Sequence, residues 1–390
     1  MDFDAIVIGA GPAGSAFAGR AAKGGMRVAV IEKKKDLGTP VRCGEGIGGH
    51  WFESLGLKIE SGVGYAIEGA AVYAPDGREL VVKNDETTGF VVERKIFDKQ
   101  LAIAAARKGA HFYPKTMATG LVKEAGRIAG VSVQRDGEAF EMRAPLVVSA
   151  EGMEAKIARE AGFNCQANLY DVDSCYEYEM AGIAGCHRLI ELYFGNKIAP
   201  RGYVWVFPKG DDVANVGIGV GGSMGADPKR LLDDFIAKNP RFKKAEPIEV
   251  KGGVISVGAP IDSFVKDGFM VVGTAAHQVD PIHGGGIALA IEAGEMAGDA
   301  ALAAFEKQDY SARTLKKYED DWRAAEGQKL SKRLKLRKVI EQLNDDDFNH
   351  IFKEIGDSDM LKVLDSDFKP VVAKILLKRP SLLKVLMSLV

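Results

Sequence analysis

The stretch that decides the fold is DFDAIVIGAGPAGSAFAGRAAKGGMRVAVIEKK, Asp2 to Lys34. Ala5 to Ile8 is a short apolar run typical of a buried strand, and Arg27 to Ile31 is a second run of the same kind. A glycine triplet spaced G-x-G-x-x-G opens the helix predicted between them, and Glu32 ends the second strand. This order of strand, glycines, helix, strand and acid is that of a dinucleotide-binding βαβ unit.

The three glycines, Gly9, Gly11 and Gly14, each have a mechanical task in such a unit. They provide the tight turn, the close approach of the backbone to a pyrophosphate, and the close packing of the helix on the strand. The N-terminus of the helix points free N–H groups at the phosphates, and Glu32 can accept hydrogen bonds from ribose hydroxyls. The motif predicts a dinucleotide and does not by itself distinguish NAD from FAD.

The rest of the chain favours FAD. A stand-alone dehydrogenase would continue with repeated βα units, but residues 65–82 contain an extended segment broken by the turn sequence APDG, which is a hairpin signal. Residues 128–134 and 139–143 are two more extended runs. Residues 269–272 predict a strand, which a glycine-rich turn joins to a helix that begins at Gly286. Two distant helix N-termini suit a long ligand with a pyrophosphate and a second polar part, which is the shape of FAD.

Composition and charge exclude several classes of protein. The chain has 390 residues with 46% hydrophobic content, enough for a large core in two or more lobes. Its net charge of −2 gives no general attraction to nucleic acid. The four cysteines form no C-x-x-C pair, which argues against a disulfide framework, a zinc site and an iron–sulfur cluster. The sequence has no signal-peptide pattern and no apolar run of membrane-spanning length, so we expect a cytoplasmic protein without a metal.

The run PRGYVWVFPKG, Pro200 to Gly210, has a strict two-residue period. Tyr203, Trp205 and Phe207 alternate with valines, so a strand would place all three rings on one face and the valines on the other. The aromatic face is either part of a core or one wall of a long apolar pocket.

Several motifs together give the chain a family resemblance, and they extend from residue 5 to about residue 305. The chain resembles the geranylgeranyl reductase family of FAD-dependent proteins with the p-hydroxybenzoate hydroxylase type of fold, and within it the archaeal digeranylgeranylglycerophospholipid reductases. The aromatic run matches the family pattern P-x-x-Y-x-W-x-F-P at every fixed position. The other motifs are the N-terminal fingerprint, RCGEG at 42–46, ERKIFDKQL at 93–101 and GTAAHQVDPIHGGGI at 273–287.

The resemblance implies an α/β fold in three parts. A Rossmann-type FAD-binding domain is expected over residues 1–165 and 260–310. A substrate domain built on an antiparallel sheet is expected over residues 166–259, and a helical C-terminal region over 311–390. In the family the aromatic strand lines the cavity that holds an isoprenoid chain near the flavin, so the resemblance favours the wall over the core.

The resemblance also implies site residues. The expected FAD-binding residues are Gly9, Gly11, Ala13, Gly14, Glu32, Cys43, Gly44, Gly46, Arg94, Ala118, Thr274, Gly286 and Ile287. The expected substrate-binding residues are Tyr203, Trp205, Phe207 and Pro208. Thr274 stands where the family usually has an aspartate, so it can hydrogen-bond to the ribityl chain but offers no carboxylate. Glu151 likewise replaces a shorter acid, in a segment that we leave out of the predicted site.

The implied chemistry is reduction of an isolated C=C bond, with a hydride from reduced flavin and a proton from elsewhere. Cys43 is the expected catalytic residue, either as the proton donor or as a group that controls access to the flavin. Glu45 is an alternative acid. His277 and His283 are six residues apart across a proline turn, and we expect them to hydrogen-bond within the loop rather than bind a metal.

The external electron donor is left open between NADPH, ferredoxin and a deazaflavin. A second glycine triplet, Gly217, Gly219 and Gly222, follows a predicted strand. No strand ending in an acid follows about 20 residues later, as an NAD fingerprint requires, so we interpret the triplet as a turn.

The C-terminal part is helical in pattern and rich in basic residues. Residues 329–338 read KLSKRLKLRK, and residues 369–390 contain five basic residues and no acidic one. Such segments either lie on an anionic membrane surface or pack on the body of the protein as amphipathic helices. The lipid tails of the implied substrate favour a peripheral membrane contact.

The main functional prediction is a reductase of geranylgeranyl chains on archaeal glycerophospholipids, and the alternative substrate is a prenyl diphosphate. An aromatic-ring hydroxylase of the same fold lacks the aromatic motif. An electron-transfer flavoprotein:quinone oxidoreductase-like carrier is expected to hold a cysteine-ligated cluster, which the cysteine spacing does not favour. A lipid-binding module without turnover is the non-enzymatic alternative.

Overall fold

The fold is seen in a computed structural model, which describes residues 2–56, 59, 62–83, 87–356, 359, 370–371 and 374–375. Within this part of the chain the strands are β1 (Ala5–Ile8), β2 (Val28–Ile31), β3 (Gly46–Gly48), β4 (Gly64–Ile67), β5 (Gly69–Tyr73), β6 (Glu79–Lys83), β7 (Gly89–Val92), β8 (His111–Tyr113), β9 (Thr116–Glu124), β10 (Arg127–Arg135), β11 (Glu138–Arg143), β12 (Leu146–Ser149), β13 (Val172–Ala181), β14 (Leu189–Phe194), β15 (Tyr203–Pro208), β16 (Val213–Gly221), β17 (Glu246–Ser256), β18 (Val265–Lys266) and β19 (Phe269–Val271). The α-helices are α1 (Pro12–Lys23), α2 (His50–Ser54), α3 (Arg94–Arg107), α4 (Lys156–Glu160), α5 (Pro228–Lys238), α6 (Ile287–Lys307), α7 (Ala312–Trp322), α8 (Gln328–Ile340) and α9 (Asp345–Glu354).

The N-terminal βαβ unit lies at the centre of a six-stranded sheet with the order β18-β19-β12-β1-β2-β8. The strands from β19 to β8 run parallel, and β1, β2, β12 and β19 are buried throughout. A parallel strand needs cover on both faces, which explains their unbroken apolar sequences. The predicted fold class, a Rossmann-type FAD-binding part with an antiparallel sheet and C-terminal helices, is confirmed.

Helix α6 crosses α1 at very short range because small residues line the contact. A Cβ on Gly294 would lie 2.3 Å from the carbonyl oxygen of Ala13, and a Cβ on Gly298 would lie 2.7 Å from the Cβ of Arg20. The strand before α6 and the start of α6 at Ile287 follow the sequence prediction. The contact fixes the positions of the two helix N-termini relative to each other.

The second large sheet is mostly antiparallel and has the order β17-β13-β16-β15-β14-β5-β6. Hairpin β5–β6, residues 69–83, pairs with β14 in this sheet, although the predicted boundaries place these residues in the FAD-binding domain. The chain therefore reaches the second sheet once before β13. The hairpins predicted within residues 65–82 and 128–143 are both present, at 69–83 and 127–143.

The second glycine triplet is not a turn. Gly217 and Gly219 lie inside β16, and Gly222 begins the short 3₁₀ turn after it, so our interpretation was wrong for the first two. A Cβ on Gly217 would lie 2.3 Å from Cζ2 of Trp205, on the neighbouring strand. Glycine at 217 is therefore needed for the space that the indole ring occupies.

Helices α7 and α8 form one long helix joined by a π-helical turn at Arg323–Gly327. Leu330, Leu336 and Val339 of α8 are buried, so this basic segment packs on the body of the protein. Lys332, Lys335 and Lys338 remain on its exposed side. The predicted basic tail at 369–390 lies outside the described residues except at four positions. Among the helices that the structure describes, none is long and apolar enough to cross a bilayer.

Candidate active site

One cavity of about 990 Å³ extends from the β1–α1 turn to the aromatic strand β15. Its lining includes twelve of the predicted site residues, namely Gly9, Gly11, Ala13, Glu32, Cys43, Gly44, Arg94, Ala118, Thr274, Tyr203, Trp205 and Phe207. The other five predicted residues, Gly14, Gly46, Pro208, Gly286 and Ile287, are not among those that line it. The sequence motifs from the two ends of the chain and from its middle therefore meet at a single space.

The glycine turn forms a cradle that has room for phosphates. Gly9 has φ of +104°, a left-handed conformation, and a Cβ there would lie 2.4 Å from the carbonyl oxygen of Ala150. A Cβ on Gly14 would lie 2.0 Å from the carbonyl oxygen of Gly9. At Gly11, by contrast, a Cβ would meet no atom within 4 Å, because the residue faces the cavity. Gly9 and Gly14 therefore close the turn, and Gly11 leaves space for a ligand.

The end of β2 and the start of α1 offer the groups that a nucleotide requires. The Glu32 carboxylate accepts from the backbone N–H of Ala10 at 3.0 Å and of Lys34 at 2.9 Å, which fixes it at the cavity edge. Helix α1 has no acidic residue in its first turn and no side-chain cap at Gly11. Its N-terminal N–H groups and the positive end of its dipole therefore face the cavity.

Arg94, Ala118 and Thr274 line the middle of the cavity from three different elements. The Arg94 guanidinium makes two hydrogen bonds to Asp98, at 2.6 and 2.7 Å, which hold it at the cavity wall. Glu151 also lines the cavity, and its carboxylate accepts from two backbone N–H groups at the start of α4. Glu151, which stands where the family has a shorter acid, thus caps helix α4.

The loop that carries Cys43 lies directly on the aromatic row. A Cβ on Gly44 would lie 3.1 Å from the Phe207 ring and 3.3 Å from Nε1 of Trp205, and a Cβ on Gly46 would lie 3.3 Å from the Phe207 ring. Glycine at these two positions lets the loop approach the rings. Tyr203, Trp205 and Phe207 face the cavity, as the wall interpretation requires, while the intervening valines are buried in the core under α5.

Cys43 lines the cavity as a thiol. Burial raises the pKa of Cys43 above its ordinary value, although the Arg94 guanidinium acts in the opposite direction. The sulfur accepts from the backbone N–H of Glu45 at 3.2 Å. Cys43 is therefore a weak acid with a fixed orientation rather than a thiolate nucleophile.

Glu45 is a fully buried carboxylate that ties the loop to the large sheet. Its Oε1 accepts from the backbone N–H of Arg94 at 2.8 Å, and its Oε2 accepts from Nζ of Lys209 and of Lys251, each at 2.9 Å. Asn215 donates to the same oxygen at 2.7 Å. Burial alone would raise the pKa of Glu45, but the two lysines outweigh it and lower the pKa below its usual value.

These residues belong to a buried lysine cluster, which consists of Lys209, Lys251, Glu45, Glu93, Glu179 and Asn215. Lys209 donates to three carboxylates, and Lys251 donates to Glu45, Glu179 and the side-chain oxygen of Asn215. Glu179, Asn215 and Lys251 of the cluster lie on β13, β16 and β17, in the same sheet as the aromatic row of β15. Sequence reasoning missed it because its members come from segments far apart along the chain.

Strand β13 adds three cavity residues that sequence reasoning also missed. Asp173, Cys175 and Glu177 alternate along the strand and all face the cavity. Burial raises the pKa of Asp173 to about 6 and that of Glu177 to about 8, against opposing attraction from Arg337 and Lys251 respectively. The signal in the sequence was the alternation of polar and aromatic residues over 175–178.

Of the two histidines of the flavin turn, His283 hydrogen-bonds within the loop as expected, whereas the expectation was wrong for His277, whose ring contacts Cys165 outside the loop. Nε2 of His277 lies 3.0 Å from the carbonyl oxygen of Cys165, and Nδ1 of His283 accepts from the backbone N–H of Gly285 at 3.0 Å. Asp280 holds the same turn through the backbone N–H groups of Ile282 and His283. This hydrogen bonding fixes the loop that leads into α6.

The residues present fit FAD. The open face at Gly11, the uncapped N-terminus of α1 and the Glu32 carboxylate suit the adenosine diphosphate half. The loop at Cys43 and the N-terminus of α6, which also has no side-chain cap, suit the flavin half. Within the described residues the two halves belong to one continuous cavity.

Two family patterns match the chain. The pattern of an FAD binding domain matches residues 2–180, and that of the geranylgeranyl reductase catalytic domain matches residues 171–255. Flavin-dependent halogenases share the fold, for example a brominase with a TM-score of 0.73 at 20% identity. Fold and site together define an FAD-binding oxidoreductase with an apolar substrate cavity.

Curated relatives give the family. The chain is 41% identical to a digeranylgeranylglycerophospholipid reductase of Methanocaldococcus jannaschii over 98% of this chain and 97% of the relative. It is 41% identical to the protein of that name from Methanococcus vannielii over 100% of this chain and 98% of the relative. A geranylgeranyl bacteriochlorophyll reductase-like structure from Thermoplasma acidophilum matches with a TM-score of 0.91 and 32% identity, covering 100% of this chain and 99% of the other. The chain belongs to the geranylgeranyl reductase family.

Proposed function

We propose that this protein is an FAD-dependent reductase that saturates the C=C bonds of geranylgeranyl chains on archaeal glycerophospholipids. The observation that carries the proposal is the single cavity, in which a nucleotide cradle and a wall of three aromatic rings face the same space. When bound, reduced FAD supplies the hydride. The relatives in Methanocaldococcus jannaschii and Methanococcus vannielii bear the name of this activity.

The residues of the chain position the substrate and exclude water. Tyr203, Trp205 and Phe207 are rigid and bury much apolar area against a flexible hydrocarbon at little entropic cost of their own. An isolated alkene has no carbonyl group to polarise, so orientation and a dry pocket contribute most of the catalysis. Cys43 presents a thiol to the cavity beside this wall, as a proton donor or as a group that controls access to the flavin.

The test is mass spectrometry of a digeranylgeranyl glycerophospholipid after anaerobic incubation with dithionite-reduced protein. We expect stepwise additions of two hydrogen atoms in the wild type, and their loss in Trp205→Ala. Phe140→Ala is the matched control, because this aromatic ring is 42% exposed on β11, outside the cavity.

A lipid of unchanged mass, together with a stably reduced flavin, would contradict the glycerophospholipid substrate. The same assay with geranylgeranyl diphosphate then separates a diphosphate reductase from an electron carrier. Replacing dithionite by ferredoxin, NADPH or a reduced deazaflavin identifies the external electron donor, which this proposal leaves open.

Peripheral contact with a membrane is part of the proposal. Leu169 and Tyr170 are 67% and 71% exposed, and Leu169 lies at the cavity edge. The backbone oxygen of Tyr170 accepts from Arg337 of α8, so this apolar turn adjoins a helix with exposed lysines. Apolar side chains beside basic ones are the pattern of proteins that lie on anionic bilayers.

Flotation with vesicles of anionic glycerophospholipid tests this contact. We expect the double variant Leu169→Ser and Tyr170→Ser to bind vesicles less than the wild type. Ile248→Ser is the matched control, since Ile248 is 61% exposed on β17. Equal reduction of vesicle binding in both variants, or none in either, would exclude this turn as the contact.

A further inference from the structure

Glu177 is a buried carboxyl group at the cavity whose two oxygens differ. Its side chain is 4% exposed, and the residue lines the cavity beside Trp205. Oε2 accepts from the indole Nε1 of Trp205 at 2.7 Å. Oε1 is fully buried and has no hydrogen-bond partner. Buried polar atoms almost always have a partner, so this oxygen needs an explanation.

The nearest cation, Lys251, is not a hydrogen-bond donor to this oxygen. Nζ of Lys251 lies 3.4 Å from Oε1 of Glu177. An ammonium group has three donors, and Lys251 directs them at closer acceptors, namely Glu45 at 2.9 Å, Asn215 at 2.9 Å and Glu179 at 3.1 Å. Lys251 therefore attracts Oε1 electrostatically but has no free N–H group for it.

The charge of the buried lysine cluster favours a neutral Glu177. The cluster contains two lysines and three carboxylates, those of Glu45, Glu93 and Glu179, so it has an excess negative charge before Glu177 is counted. An ionised Glu177 would add a second excess negative charge to this buried site, which is costly. Burial, together with the nearby Glu45, raises the pKa of Glu177 to about 8, although Lys251 and the Trp205 hydrogen bond oppose the shift.

The hydrogen bond from Trp205 determines which oxygen holds the proton. An indole N–H only donates, so Oε2 must be the acceptor and the proton of a neutral Glu177 is on Oε1. Oε1 has no hydrogen-bond partner among the described residues, and its residue lines the cavity, so a rotation of the carboxyl group would present its O–H group to a ligand there. Nε1 of Trp205 also lies against Gly44, which places Glu177 next to the Cys43 loop.

We propose that Glu177 is the catalytic acid of the reduction. The inference rests on the proposed function. When bound and reduced, FAD would supply the hydride to one alkene carbon. The π electrons would then bond the other carbon to the proton of Glu177, and the electrons of the O–H bond would remain on its carboxylate. Glu177 is left as a carboxylate, which the nearby Lys251 stabilises, and water returns its proton before the next turnover. Cys43 would then control access to the flavin rather than donate the proton.

The experiment compares Glu177→Gln with the wild type as FAD-loaded protein. Glutamine has the same shape and its oxygen can still accept from Trp205, so the fold and the flavin content are expected to be unchanged. We expect lipid reduction to fall by about 100-fold or more, the usual effect of losing a general acid. Glu249→Gln is the matched control, because Glu249 pairs with Lys95 at 2.6 Å, outside the cavity.

A second readout does not depend on turnover. Infrared difference spectra of wild type minus Glu177→Gln, with carbon-13-labelled glutamate carboxyls, report whether Glu177 is protonated. We expect a carboxylic acid band at pH 7 that gives way to carboxylate as the pH rises through about 8, and a parallel fall in activity. The charged or titratable groups around Glu177 are Lys251, Lys209, Glu45, Glu179 and Cys43, and the control variant retains all of them.

The outcomes are distinct. An inactive Glu177→Gln protein with full flavin content, together with a carboxylic acid band in the wild type, supports the proposal. Full activity of Glu177→Gln, activity abolished in Cys43→Ala alone, or an ionised Glu177 at pH 7 overturns it. Failure of the wild type to reduce the lipid would instead refute the proposed function.

Discussion

Two glycines of β16 allow a sharp test of how the aromatic wall is held. Gly217 and Gly219 are two residues apart and point to the same side of the strand. A Cβ on Gly217 would lie 2.3 Å from Cζ2 and 2.4 Å from Cε2 of Trp205. A Cβ on Gly219 would lie 3.5 Å from Sγ of Cys175 and 3.8 Å from the Trp205 ring, which is ordinary contact. Neither glycine has a left-handed φ, so the difference between Gly217→Ala and Gly219→Ala is one of space alone.

The expected magnitude follows from this geometry. Replacing glycine by alanine restricts the unfolded chain and stabilises by about 0.4–1 kcal/mol in each variant, so this contribution cancels in the comparison. The overlap at Gly217 requires the indole to move by more than 1 Å to reach a contact of roughly 3.5 Å, and overpacking of this kind costs about 1–3 kcal/mol. We therefore expect the free energy of unfolding of Gly217→Ala to be about 1–3 kcal/mol below that of Gly219→Ala.

The assay is urea unfolding in excess FAD, followed by tryptophan fluorescence. The shift also displaces the Trp205 indole in the cavity wall, so Gly217→Ala is expected to lose most lipid reduction at full flavin content. Equal unfolding midpoints for the two alanine variants would refute the reasoning, because the overlap would then be relieved without cost.

Three further predictions follow from the site. Glu45→Gln is expected to lower the free energy of unfolding by about 1–3 kcal/mol at pH 7, because its amide NH₂ group would face N–H donors from which the carboxylate now accepts. Since the folded pKa of Glu45 is lowered, the difference from wild type should shrink as the pH falls below about 4, which urea titrations at several pH values would detect. Gly11→Val is expected to fold but to lose FAD, because its side chain would fill the phosphate cradle; Gly356→Val, also in open space, should keep FAD, and the absorbance ratio of flavin to protein decides. Trp205→Phe removes a hydrogen bond that lowers the pKa of Glu177, so the alkaline fall in activity should move to higher pH; an unmoved or lowered midpoint would contradict this.

The sequence was sufficient for features whose determinants lie close together along the chain. The βαβ unit at 5–32, the hairpin at 127–143 and the start of α6 are each specified by a local pattern of apolar residues and glycines. The alternation in β15 likewise predicted one face of rings. The resemblance then connected these segments to a single cofactor, and twelve of the predicted residues line one cavity.

What the sequence did not reveal depends on pairing between distant segments. Hairpin β5–β6 joins the large sheet through parallel pairing with β14, more than 100 residues later. The triplet at 217–222 resembled a turn because glycine is common in turns, whereas here the glycines accommodate Trp205 from the neighbouring strand. Nothing in the sequence distinguished Glu177 from other polar residues. Its altered acidity arises only when β16, β17 and the Cys43 loop surround it.

The two faces of strand β15 have different roles. Val204 and Val206 belong to the core under α5, while the rings at 203, 205 and 207 face the cavity. Substitutions that widen or shorten that space therefore leave the buried side of the sheet intact. Enzymes built on this scaffold can thus diverge in the length or shape of the chain they accept through few mutations, without first losing their ability to fold.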